Sequence, residues 1–347
     1  MENSGKQPAD EGLPGMAVIN RELAPFQKSD TRRAVGQLFN TLIPYFLLWY
    51  LMIRSLEVSY ALTLVLALIA AGFLVRIFIF FHDCGHNSFF PSTRANKIAG
   101  AWLGLLVFTP GEQWWHSHAL HHASSSNLDK RGRGDVMMLT EEEYLKLNGW
   151  QRLGYRLFRN PLVMFILGSF YMFVISHRLP LPRYGKKEIR SVIFNNLGIL
   201  AIAAGMSLLI GWKAYLMIQL PVLWMAGIAG VWLFYLQHQF QGSYWRRSSE
   251  WNYIAAGLLG ASFYHLPKLL DWFTGSIGYH HIHHLSPRIP NYYLARCHAA
   301  SPTAQKYARV LTIRQSLGAV RLKLWSEKQQ RMVDFPRLAE RSESVLV

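Results

Sequence analysis

Four long apolar runs punctuate the chain, at residues 39–56, 59–81, 192–210 and 214–236. Taken as helices, the first reaches roughly 27 Å and the second roughly 34 Å, against a bilayer hydrocarbon core of ~30 Å. The first is therefore marginal and the second spans. The two-residue break between them predicts a helical hairpin. The third and fourth runs form a second pair around Lys213. Three shorter runs break the pattern. Residues 98–109 reach about 18 Å, too short to cross, and read as a re-entrant or interfacial helix. Residues 162–176 are apolar but followed closely by Arg178, Arg183, Lys186, Lys187 and Arg190. Residues 254–266 read as a short interfacial segment.

The flanks are polar. Residues 1–30 hold Gly, Pro, Asp and Lys without periodicity and read as a mobile tail. This polar, partly acidic start does not have the form of a cleavable signal peptide. Ser301-Pro302 is a helix-start signal. From there to about Met332 the chain reads as a basic amphipathic helix, with Tyr307, Val310, Leu311, Leu317 and Val320 on its apolar face. The expected division is a tail at 1–30, a membrane domain at 31–300, and a cytoplasmic C-terminal helix and tail at 301–347.

Composition agrees with a membrane protein. Hydrophobic residues make up 51% and charged residues only 16%, below the ~25% usual in soluble domains. The net charge of +16 is spread between the apolar spans. That distribution suits anionic headgroups rather than nucleic acid. The two cysteines, Cys84 and Cys297, form neither a disulfide framework nor a CxxC motif.

The chemistry lies in the histidines. Eight of the 14 fall in three boxes: His82 and His86; His118, His121 and His122; His280, His283 and His284. Spacings of three and four residues put side chains on one helical face, and neutral imidazole is the commonest side-chain metal ligand. A solvated histidine-rich loop would explain one box, but not three at such spacings. His238, where the last span ends, reads either as a further ligand or as an interfacial histidine. Asp271 and Asn291 flank the third box and either orient imidazoles or simply cap the chain. Trp114 and Trp115 suit the membrane interface. His116, His177, His265 and His298 are expected to be dispensable as ligands.

The parity of crossings decides the middle run. If residues 162–176 crossed, the second and third boxes would lie on opposite sides. The reading chosen is that they do not cross. Four spans then remain, all three boxes face one side, and the basic residues at 178–190 make that side cytoplasmic by the positive-inside rule.

Eight or nine imidazoles exceed what one tetrahedral zinc takes, and two metals sharing about nine is a sensible allocation. Asp83 is the only carboxylate inside the boxes, so the Glu and Glu-x-x-His pattern of soluble di-iron bundles is absent. Haem is a poor fit to adjacent histidine pairs. A metal at the membrane boundary meets water-borne electrons and lipid-borne substrate alike. Breaking an unactivated C–H bond there requires a strong iron–oxygen oxidant in a dry pocket.

At these residues the sequence resembles the membrane fatty acid desaturases, whose pattern is HxxxH, HxxHH and HxxHH. The resemblance runs from about Phe39 to Trp325. Longer stretches, Gly132-Arg133-Gly134-Asp135-Val136, Tyr235-Leu236-Gln237-His238-Gln239-Phe240 and His283-His284-Leu285-Ser286-Pro287-Arg288-Ile289-Pro290-Asn291-Tyr292, look like bacterial and plastid-type acyl-lipid Δ12/ω6 desaturases. The resemblance implies an all-α integral membrane protein with four transmembrane helices, short interfacial helices and a cytoplasmic histidine-rich cap holding a di-iron site. It implies two iron ions, molecular oxygen, an acyl-lipid substrate and an external electron donor. No cytochrome b5-like domain is fused to the sequence, so the donor is expected to be separate, such as a ferredoxin, and the site the inner membrane. The family's ligand set extends to a histidine after the last span, which makes the expected metal ligands His82, His86, His118, His121, His122, His238, His280, His283 and His284. His281 is not required by the pattern. Phe234 stands where the wider family has a water-linked asparagine. Membrane hydroxylases and ketolases of alkanes or carotenoids share the histidine-rich architecture and are the alternative. A metal transporter would need polar residues within the spans. Here these are Glu57 and Lys213 at the margins, Gln219, and Arg76 near an end.

Overall fold

The computed structural model describes residues 12–132, 134–181 and 184–336. Arg133 of the second-box stretch, Arg183 of the basic loop, and the outermost tails at 1–11 and 337–347 lie outside the described residues. Four helices are long and apolar enough to cross a bilayer: α2 (Thr31–Ser55), α3 (Tyr60–Gly85), α9 (Lys186–Ile210) and α10 (Trp212–His238). The protein is a helical integral membrane protein. α2 begins eight residues before its apolar run because Asp30 caps it, accepting from the N–H groups of Arg32 and Arg33. α9 buries only Val192 and Asn195. Its Leu197, Leu200, Leu208 and Leu209 stand exposed, as expected where lipid is the solvent and the backbone is satisfied within the helix.

Between α3 and α9 the chain stays near one membrane face. α4 (Thr93–Leu106) dips in and returns through Thr109 to α5 (Gly111–Ser124), which carries the second box. β1 (Leu139–Thr140), α6 (Glu141–Lys146) and α7 (Gly149–Phe158) follow. The next stretch, Leu162–Arg178, is bent by 63° from α7 and contains α8 (Gly168–Phe170). Phe165 packs on Tyr235 near the end of α10. Deeper, Ile166 carbonyl accepts from the Trp224 indole at 2.8 Å. The path then turns back. His177 Nδ1 meets the Thr109 hydroxyl, and Leu179 carbonyl accepts from the Gln113 side chain on α5. The chain enters and leaves on the same side, so this segment is re-entrant. Arg178 is turned inward, bonded to Asn195 and Asn196, and is not a free surface cation.

The segments after α10 build a cap. It contains α11 (Tyr253–Leu258), β2 (Ser262–His265), α12 (Lys268–Phe273), α13 (His280–Leu285), α14 (Asn291–Ala300), α15 (Pro302–Tyr307), β3 (Arg309–Thr312), α16 (Ile313–Ala319), β4 (Leu324–Ser326) and β5 (Arg331–Val333). Three expectations change here. The 254–266 segment is not interfacial: Ala255, Ala256 and Leu258 are buried in the core beneath the third box. The single helix expected over 301–332 is two short helices interrupted by strands. The Arg309–Thr312 run pairs in parallel with β2, β4 pairs with β1 and β5, and Thr312 opens α16 with a capping box. Of its expected apolar face only Leu311 is buried, while Val310 and Leu317 are exposed. Pairing with distant strands overrides the local helical pattern.

The third change concerns residues 12–30, which form part of the core rather than a tail. α1 (Met16–Leu23) buries Ile19 and Leu23. The Glu22 carboxylate accepts from Ser301 and Thr303. Gln27 donates to Ser286 at 3.0 Å, and the Asp30 N–H donates to the Tyr292 hydroxyl at 2.9 Å.

Candidate metal centre

Each histidine arrives on a helix end or a short helix. His82 lies in the last turn of α3, and His86 is its C-cap residue. α5 is held against them by Trp115, whose indole N–H donates to Phe81 carbonyl at 3.1 Å. Gly85 and Gly100 make that seat, since a Cβ on either would overlap the Trp115 ring. Trp114 stacks on the His118 ring, with centroids 4.5 Å apart. Both tryptophans are partly buried against the helices that carry the first two boxes. His238 ends α10, and all six residues of α13 are buried.

The structure brings the nine expected residues together in two groups. One holds His82, His86, His118, His122 and His283. The other holds His121, His238, His280 and His284. Within each group one ring nitrogen per residue lies within 4.8 Å of all the others. The boxes are thus split: in the second, His121 turns away from His118 and His122, and in the third, His283 turns away from His280 and His284.

Adjacent Nε2 atoms are 3.0 Å apart for His283 and His122, for His121 and His238, and for His238 and His280. They are 3.1 Å apart for His122 and His118, and for His284 and His280. An imidazole nitrogen has one in-plane position, holding either a proton or a lone pair. His122, His238 and His280 each direct Nε2 at two neighbours, more than one hydrogen bond can satisfy. His86 Nε2 is buried with no hydrogen-bond partner among the described residues. Several lone pairs converging from buried neutral rings at this spacing are what a shared metal ion would take up. The donor set fits metal ions. Burial, reinforced by neighbouring imidazoles, holds His118, His121, His122, His280, His283 and His284 well below the usual imidazole range. Neutral rings are the form that offers a lone pair to a metal.

An apolar cavity of about 360 Å³ starts beside His82, His118 and His280 and runs between α3 and α10, with the re-entrant segment as its third wall. Its α10 face is Leu223, Ala226, Gly227, Gly230, Val231, Leu233, Phe234 and Gln237. That is the i, i+3, i+4 stripe of one helix side.

Residues 58–315 match the family described as fatty acid desaturase. The chain belongs to the fatty acid desaturase family. It is similar to a fatty acid desaturase of Bacillus subtilis (strain 168), 48% identical over 317 residues, covering 91% of this chain and 90% of that protein. An endoplasmic-reticulum omega-3 fatty acid desaturase of Vigna radiata is 27% identical over 67% of this chain and 63% of its own length. A chloroplastic sn-2 acyl-lipid omega-3 desaturase (ferredoxin) of Helianthus annuus is 28% identical over 67% of this chain and 54% of its own.

Around the desaturase centre, Asn291 acts at one remove. Its N–H and side-chain amide donate to Asp83 Oδ2 at 2.7 and 2.9 Å, and Asp83 Oδ1 lies 3.0 Å from His82 Nδ1. The sequence marked Asp83 as the lone carboxylate of the boxes but gave it no partner. Asp271 does not orient a box imidazole. It accepts from the Ser276 hydroxyl and interacts with Arg76 and His265, none of them among the nine expected ligands. His281 pairs with His298 at 3.1 Å, behind both groups. His116 pairs with Glu188 at 2.9 Å on the exposed side of α5. His265 is exposed. His177 lines the cavity, a role that spacing alone did not suggest. Phe234 sets its ring 5.1 Å from His121 and 5.5 Å from His238.

Proposed function

We propose that this desaturase introduces a cis double bond into a long-chain acyl group of a membrane lipid, at the Δ12/ω6 position. Two iron ions are held by the nine imidazoles. His82, His86, His118, His122 and His283 hold one; His121, His238, His280 and His284 hold the other. The observation that carries the reading is the apolar cavity leading away from His82, His118 and His280. Its mostly apolar lining matches an aliphatic chain in chemistry, and an acyl chain filling it would displace water from the place where C–H bonds must break. When bound, the iron pair supplies oxygen activation. The balance is two C–H bonds lost from adjacent methylenes, one C=C formed, and O2 taken with two electrons and two protons to two waters. The chain's own share is to fix which methylene pair lies beside the histidines.

The electrons come from a separate, ferredoxin-like donor. In support, the Helianthus annuus relative carries ferredoxin and acyl-lipid in its own name. The centre faces the cytoplasm from the inner membrane. Lys186, Lys187 and Arg190 begin α9 on the histidine side, in keeping with positive charge retained inside.

The test is the fatty-acid profile of a desaturase-free host expressing the chain, supplied with oleate and, separately, linoleate. A 9,12-diene from oleate is expected. A triene from linoleate, with oleate untouched, would replace ω6 by ω3. An alcohol or ketone carrying oxygen from O2 would replace desaturation by hydroxylation or ketolation.

A further inference from the structure

We propose that Gly230 sets how much acyl chain this desaturase accommodates beyond the carbons it oxidises. The proposal rests on the cavity being the acyl site. Gly230 lies on the cavity face of α10, eight residues before His238 and seven after Leu223. Along the helix that is about 12 Å from the histidine end and about 10 Å from the Leu223 end. Gly230 therefore stands near the middle of the slot.

The two α10 glycines that line the cavity have different surroundings. A Cβ at Gly227 would meet the Phe173 ring at 3.0 Å, so that glycine makes room for a protein neighbour. A Cβ at Gly230 would meet no heavy atom within 4 Å. Gly230 also sits inside a regular helix, without the positive φ found at Gly211 or Gly242. Glycine inside a helix is less favourable than alanine. Neither backbone geometry nor a packed neighbour requires glycine here. What its missing side chain leaves is open cavity.

The slot has a direction. The histidine end is marked by His82, His118, Gln237 and His280, with further polar residues on α5 and the re-entrant segment, whereas Leu74 and Leu223 line the part of α3 and α10 remote from His82 and His238. An acyl chain entering past the histidines puts its methyl terminus toward Leu223. A side chain at position 230 would block the slot between the reacting carbons and that terminus. Removing bulk at Leu223 would lengthen it.

The test compares Gly230→Leu, Gly230→Ala and Leu223→Ala with wild type in the desaturase-free host. Palmitoleate and the longer oleate are supplied in separate cultures, and iron per purified chain is measured. Gly230→Leu is expected to keep its iron and to lower the oleate-to-palmitoleate conversion ratio about tenfold or more, since one methylene in an apolar pocket is worth that much. Gly230→Ala should move the ratio the same way by less, and Leu223→Ala the opposite way. An unchanged ratio in iron-loaded Gly230→Leu overturns the proposal. So does an equal loss on both substrates, because a length filter must spare the shorter chain. If Gly230→Leu does not accumulate, an unchanged ratio in the other two variants overturns it. Wild type that makes no new double bond on either substrate removes the acyl reading itself, and this proposal falls with it.

Discussion

In the five-histidine group, His82 turns Nδ1 to the Asp83 carboxylate at 3.0 Å, and Asn291 holds the other carboxylate oxygen through two N–H donors. Gln37 in turn donates to Asn291 at 2.9 Å, tying this chain to the first span. In the four-histidine group, His238 Nδ1 lies 3.3 Å from the Ser125 hydroxyl, the ring also hydrogen-bonds the Gly260 backbone, and the Phe234 ring packs beside it. One group thus has a buried anion behind it, and the other has a hydroxyl, a backbone carbonyl and a hydrocarbon ring, none of them charged. A carboxylate behind an imidazole fixes its tautomer and raises its basicity. Two metals placed in these groups would be inequivalent before any substrate arrives. The chain has built one position backed by a charge and one backed by neutral groups from the same side chain.

The largest effects should come from the imidazoles themselves. His283→Ala and His121→Ala remove one member of each group, and both are expected to reduce new unsaturation below detection and to lower bound iron. Chromatography of host lipids and metal analysis of purified protein check this, and wild-type product from either variant would break the assignment. Next comes Asp83→Asn, which keeps the shape and removes the anion. Metal affinity should fall about 10–100-fold, the usual cost of losing such a partner, as read by chelator competition. Ser125→Ala should cost less than Asp83→Asn in the same assay. An equal or larger cost there would erase the distinction between the groups. At the bottom of the scale, His116→Ala removes only the exposed pair with Glu188, and exposed pairs contribute little. Iron content and product yield should stay at wild-type level.

The membrane architecture and the histidine set were readable because both are local. Long apolar runs announce α3, α9 and α10, and imidazoles three and four residues apart announce a shared face. What stayed hidden depends on distant partners. Asp83 finds Asn291 across 208 positions. The Arg309–Thr312 strand exists because β2 offers it an edge. The split of the second and third boxes between two groups follows from how α5 and α13 cross, which no spacing encodes. Residues 12–30 looked featureless because Glu22, Gln27 and Asp30 bond to residues near the far end of the chain.

His122 and His283, 161 positions apart, sit 3.0 Å from one another. That separation makes the centre a record of assembly. The chain must thread both helical hairpins into the bilayer and fold its cap before the last imidazoles arrive. Contacts between such remote segments form late, because the intervening loop must close before they repay its entropy. Metal uptake would then close the sequence of events, joining segments made early and late in synthesis, and a fully loaded chain would certify that every span had been inserted the right way round.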